Sequence, residues 1–210
     1  MQPLNLKRNL SIVAFEKGTM MLVQFITTLL LARMLTPEEF GVFAMLAIIV
    51  ALGNMLVDAS FGGSLIYHKD VYERDYSSVF WLNFVISLLL YVSLYISAKP
   101  IAKFYNESIL ANLVPIICLT IVLNAFGLVQ YCKLYNRLKF ATVVQMKILS
   151  IIVRSLTAIL LAYFEAGVWA LVLQQVITYL YQTILLIWSN RYMPKLYFKN
   201  GSIAHGYFVG

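Results

Sequence analysis

Six runs of largely apolar residues divide this chain, at about 10–35, 40–66, 78–98, 109–131, 141–164 and 168–188. A helix needs about 20 mostly apolar residues to cross a bilayer, so each run is long enough to do so. Hydrocarbon offers no water to a bare N–H or C=O, so such runs must be helices or the strands of a closed barrel. A barrel would show short alternating segments, and none is visible. The expected class is therefore all-α and integral to the membrane. It is a bundle of six transmembrane helices over residues 1–190, with a basic tail over 191–210.

The corners between runs carry their own instructions. The first run ends at Arg33-Met34-Leu35, and Thr36-Pro37-Glu38-Glu39-Phe40 follows. Thr36 suits an N-cap and Pro37 the first helical position. Glu39 stands three residues after Thr36, the capping-box spacing, in which each side chain satisfies an orphan backbone donor of the other. The chain should turn there from one helix into the next. A similar stretch recurs later. Glu38-Glu39-Phe40-Gly41-Val42-Phe43-Ala44-Met45 resembles Phe164-Glu165-Ala166-Gly167-Val168-Trp169-Ala170-Leu171. It marks either an old repeat or two corners of one kind.

Composition agrees with a life in lipid. Of 210 residues, 61% are hydrophobic and 12% charged, with a mean hydropathy of +0.82. A soluble domain is about half apolar and about a quarter charged. The net charge of +7 would suggest nucleic acid in a soluble protein. Here the Lys and Arg residues sit mainly between apolar runs, where topology and anionic headgroups account for them. Membrane lipids, not nucleic acid, are the expected partner.

Those cations also set the orientation. The N-terminus, second loop, fourth loop and tail hold ten of them: Lys7, Arg8, Lys69, Arg74, Lys133, Arg137, Lys139, Arg191, Lys195 and Lys199. The opposite corners hold three, Arg33, Lys99 and Lys103. The bias places both termini in the cytoplasm. Lys7 and Arg8 precede an apolar run longer than a signal-peptide core and without its cleavage site, so an uncleaved first span is expected. Tyr and Trp recur near run ends, as an aromatic belt requires.

No catalytic pattern is present: no G-x-S-x-G, no Walker sequence, no H-E-x-x-H and no cysteine cluster. His68 and His205 lie in polar segments. Cys118 and Cys132 fall on one predicted helix, about 21 Å apart at 1.5 Å per residue, too far for a disulfide. They read as small packing residues. No enzyme, cofactor or metal site is expected.

The informative residues are ionisable groups within the runs. A charge near the bilayer centre is costly and is kept where it faces a partner or a cavity. Asp58 lies about 12 Å from the cytoplasmic end of the second run, and Arg154 about 10 Å past Lys147 on the fifth. The two are at comparable depth and are expected to face a common interior and to pair, either as a fixed strut or as part of a transport site. Glu16 and Lys17 lie nearer the interface, where one can snorkel. Arg33 at the outer end of the first run is a cargo contact or an anchor. Gln24, Asn54, Asn124, Gln174 and Gln175 line a polar path or bond helices together.

These residues resemble a known family. The chain is similar to the N-terminal half of the polysaccharide and O-antigen lipid flippases of the multidrug/oligosaccharidyl-lipid/polysaccharide exporter superfamily. Four stretches carry the likeness: Leu31 to Ala44; Asp58-Ala59-Ser60-Phe61-Gly62-Gly63-Ser64-Leu65-Ile66; Asn136-Arg137-Leu138-Lys139-Phe140; and Gly167-Val168-Trp169-Ala170-Leu171-Val172 with Arg191 to Leu196. The resemblance implies one lobe of a two-lobed exporter in the bacterial inner membrane, moving undecaprenyl-pyrophosphate-linked oligosaccharide by alternating access. Such a lobe would need a second lobe or a homodimer, and the tail would begin the missing half. Arg154, Arg33 and Lys17 are the candidates for binding the anionic cargo, and Asp58 and Glu16 for coupling to protons or sodium. These roles rest on depth and charge, not on a matched site motif. A multidrug exporter would want an acidic interior, and this one leans basic. A scaffold for sugar-assembly enzymes would want large cytoplasmic domains, and these loops are short.

Overall fold

The computed structural model describes residues 3–67, 73–136 and 140–190, with side chains over 17–57, 77–134 and 142–189. These residues form six α-helices: α1 (Pro3–Met34), α2 (Pro37–Tyr67), α3 (Glu73–Phe104), α4 (Leu110–Asn136), α5 (Phe140–Tyr163) and α6 (Val168–Asn190). The all-helical membrane class expected from the apolar runs is what is found. Among the described residues, five helices, α2 to α6, are long and apolar enough to cross a membrane. The described part of α1 carries Lys17, Gln24 and Arg33, which lower its apolar content.

Local chemistry sets the helix ends. At the α1–α2 corner the Thr36 N–H donates to Glu39 Oε2 at 2.7 Å, and the Glu39 N–H donates to Thr36 Oγ1 at 3.3 Å. This is the capping box expected from the spacing, with Pro37 at the first helical position. α3 does not stop at Lys99-Pro100, where the sequence reading ends the third span. Pro100 lies inside its last turns, and the helix continues to Phe104. So near a helix end, the proline removes one backbone bond without stopping the coil. The stop comes at Asn106, whose left-handed backbone (φ 56°) lets the Glu107 N–H reach Ala102 O at 3.0 Å. α5 ends the same way at Glu165 (φ 55°), with the Ala166 N–H on Leu161 O at 3.1 Å.

The two similar corners meet in space. Gly167 also has a left-handed backbone (φ 58°), and a Cβ there would run into the Glu39 carboxylate. Val42 of α2, Leu110 of α4 and Val168 of α6 share one buried cluster, so the three corners gather at one end of the bundle. We call this the corner end.

Packing runs through α4. It lies against α2, α3, α5 and α6, and half of its span is buried against 22–33% for the other four spans. Leu113, Ile117 and Ile121 recur every four residues on α4 and meet Val42, Leu46 and Val50, spaced the same way on α2. At Gly53 the two helices are close enough that an added Cβ would strike Ile121 Cδ1. α1 packs on α5, and Ala158, Ala162 and Ala170 are all buried between α1, α5 and α6. Small residues of this kind let helix backbones approach closely in lipid. A third cluster joins α3 to α4 through Phe80, Phe84 and Phe126, with ring centroids 5.0–6.3 Å apart. Cys118 and Cys132 are both buried on α4. Large apolar side chains such as Met21, Leu89 and Ile184 point outward, as lipid permits.

Candidate functional site

Polar side chains inside apolar helices converge at one level of the bundle. Asn124 on α4 donates through Nδ2 to Asn54 Oδ1 on α2 at 3.2 Å. Asn54 Nδ2 in turn donates to the Tyr179 hydroxyl on α6, a long bond of 3.5 Å. Arg154 of α5 lies in the neighbourhood of Tyr179. Three helices thus contribute one rung each to a hydrogen-bonded ladder, and a fourth, α5, places a cation near its end.

The ladder lies deep. Arg154 is nine residues from Tyr163, about 14 Å along α5, and Tyr179 is eleven residues from Val168, about 16 Å along α6. Both are near the middle of their spans. On insertion scales an Arg at that depth costs about 2.5–3.5 kcal/mol. Arg154 is half-buried, and among the described residues no carboxylate forms an ion pair with it. Its positive charge is therefore not cancelled by a described acidic group.

The neighbourhood fixes its position. The hydroxyls of Thr27 on α1 and Ser155 on α5 lie 2.8 Å apart in a buried hydrogen bond, which sets α1 at the level of Arg154. Lys147 is two helical turns from Arg154 on the same face of α5, about 10 Å away. Its ammonium sits 5.3 Å from the centre of the Tyr131 ring. Ser150 and Thr157 complete the polar stripe at helical spacing.

The other candidate residues are distributed along the bundle. Taking Thr27 as the level of Arg154, Lys17 lies ten residues toward the N-terminal end, about 15 Å, and Arg33 six residues toward the corner end, about 9 Å. Both are exposed on α1. The three cations lie at three levels of the bundle rather than in a single pocket. Gln24 is exposed on α1, Gln174 is buried on α6 and Gln175 is half-buried. Asp58 belongs to α2 and Glu16 to α1, but their side chains, and so the expected Asp58–Arg154 pair, lie outside the described residues.

Sequence reasoning singled out Asn54, Asn124 and Arg154 but passed over Tyr179. A signal was available. Interfacial tyrosines sit near span ends, whereas Tyr179 is near the middle of its span.

Comparison with known proteins adds identity. Residues 30–207 match the model of a family described as polysaccharide biosynthesis protein. The succinoglycan biosynthesis transport protein ExoT of Rhizobium meliloti is 30% identical over 177 residues, covering 84% of this chain and 36% of that protein. The teichuronic acid biosynthesis protein TuaB of Bacillus subtilis is 28% identical over 179 residues, 84% of this chain and 37% of the relative. The lipopolysaccharide biosynthesis protein WzxC of Escherichia coli is 23% identical over 180 residues, 83% and 36%. The chain thus spans little more than a third of the length of the curated relatives it matches. No solved structure matches it. With six packed helices, a polar ladder in their midst and a family match over most of its length, the chain belongs to the polysaccharide biosynthesis protein family.

Proposed function

We propose that this chain is one lobe of a transporter, not an enzyme, that carries a lipid-linked oligosaccharide across the plasma membrane. The observation that carries the reading is Arg154, a mid-span cation with no described carboxylate to cancel it. The names of the three relatives refer to three different polymers. A lobe common to all three is better matched to what joins sugar to lipid than to any one sugar. A pyrophosphate linkage is anionic, and a guanidinium binds phosphate oxygens through two parallel N–H bonds.

In this reading Arg154 holds the linkage at mid-membrane, with the Tyr179–Asn54–Asn124 ladder keeping its surroundings polar. Lys17 and Arg33 attract the same group toward the two ends of the path. Asp58 and Glu16 couple movement to protons or sodium. A second lobe, from another polypeptide or a second copy, faces this one, and the two rock about the cargo.

The test is export. The chain is expressed in a strain that lacks its own flippase but makes the lipid-linked repeat unit, alone and together with the remaining segment of the succinoglycan relative. Surface polymer from either arrangement is expected. No polymer from both, with the protein inserted, removes the reading.

The reading also puts both termini in the cytoplasm, on the ten-to-three bias of Lys and Arg. A C-terminal alkaline phosphatase fusion should stay inactive and a fluorescent-protein fusion should glow. An active phosphatase would invert or break the six-span topology.

A further inference from the structure

The corner end carries a feature that the midplane ladder does not use. Between the end of α3 and the start of α4 lies an open hollow of about 390 Å³, lined by Lys99, Ala102, Lys103, Asn106, Ser108 and Ala111. Lys99 and Lys103 are one turn apart on the same face of α3. Among the described residues neither lysine forms an ion pair with a carboxylate. Asn106 and Ser108 add a side-chain amide and a hydroxyl. The left-handed turn at Asn106 brings the positive end of the α4 dipole to the same hollow.

Lysines at the end of a helix complement its dipole, and that alone explains one of them. It does not explain the company they keep. Only Arg33, Lys99 and Lys103 break the charge bias of the chain by lying at the corner end. Two of those three line one hollow.

Below them α3 presents an apolar track. Leu88, Val92, Tyr95 and Ile96 lie on the face of Lys99 and Lys103, at i−11, i−7, i−4 and i−3 from Lys99, and all four are exposed. Phe104, 84% exposed, meets Tyr105 edge-to-face at 5.2 Å beside the hollow. A tyrosine such as Tyr105 favours headgroup level. An apolar track leading to two cations at headgroup depth has the form of a phospholipid in negative image.

We propose that the hollow seats the phosphate of an anionic phospholipid from the leaflet at the corner end, with an acyl chain along Leu88, Val92, Tyr95 and Ile96. The site is separate from the Arg154 ladder and does not depend on what that ladder carries.

The experiment is native mass spectrometry of the full chain released from detergent, titrated with phosphatidylglycerol or phosphatidylethanolamine. Phosphatidylglycerol should stay bound in preference to the zwitterionic lipid. The double variant Lys99→Ala/Lys103→Ala should bind it about 30-fold more weakly, while Lys99→Arg/Lys103→Arg keeps it. Arg154→Ala should bind it as the parent does. Equal retention by the parent and the alanine pair would overturn the site. Displacement of the lipid by millimolar inorganic phosphate would overturn the lipid as occupant, since a free anion would then suffice. Both double variants change exposed side chains, and the arginine pair controls for folding.

Discussion

Replacement of Arg154 by Ala is expected to reduce export roughly 10- to 150-fold, the effect of losing about 1.5–3 kcal/mol in a hydrogen bond to a charged group. The amount of inserted protein should not fall. Removing a mid-span cation relieves α5 of an insertion cost of about 2.5–3.5 kcal/mol. Nor does it strand a carboxylate among the described residues, since none pairs with Arg154. Arg154→Lys should be intermediate, because it keeps the charge and loses the planar fork. The check is surface polymer per inserted molecule, with protein quantified in the membrane fraction. Unchanged export would remove Arg154 from the transport site. A parallel loss of protein and polymer would make it a strut of the bundle.

Gly53→Val should destabilise the bundle at the α2–α4 crossing. An added Cβ at Gly53 strikes Ile121 Cδ1, and Ile121 is fully buried, so its side chain must shift within the packed core to admit the newcomer. Overpacking of this kind costs about 1–3 kcal/mol, and the strain falls beside Asn54, the rung that joins α2 to both α4 and α6. Thermal stability in detergent and export should drop together. The pair identifies the cause. Ile121→Ala alone opens a cavity at a cost of about 2–5 kcal/mol. With Gly53→Val the new methyl groups enter that cavity, so the double variant should be more stable than the sum of the single losses predicts. Strict additivity would place the damage elsewhere than this crossing.

Much of the fold could be read from residue spacing. The six helices, the Thr36–Glu39 box and the placement of both cysteines on one helix follow from local rules, because each depends on residues a few positions apart. Pro100 misleads for the same reason. A rule about its own backbone bond says nothing of the turn at Asn106 that ends α3. The site was legible in part. Arg154, Asn54 and Asn124 stand out because a polar group in an apolar run is costly wherever it faces. Their assembly is a tertiary fact. No spacing rule brings Asn54, Asn124 and Tyr179, from three different helices, to one level. Lys17 and Arg33 share a helix with Thr27, yet nothing local says that α5 is the partner of α1 or at what level the two meet.

That last pairing has a consequence for how the protein is made. Among the described residues α1 rests on α5, and the Thr27–Ser155 bond joins residues 128 positions apart. A ribosome adds about 5–20 residues per second, so roughly 6–25 s separate the synthesis of the two hydroxyls. During that interval α1, with Lys17, Gln24 and Arg33, lacks the neighbour it finally packs against. Insertion machinery or lipid must hold it until the fifth helix arrives. A ribosome stalled between α4 and α5 leaves the first helix of the bundle waiting, which makes that interval a natural point for quality control to act.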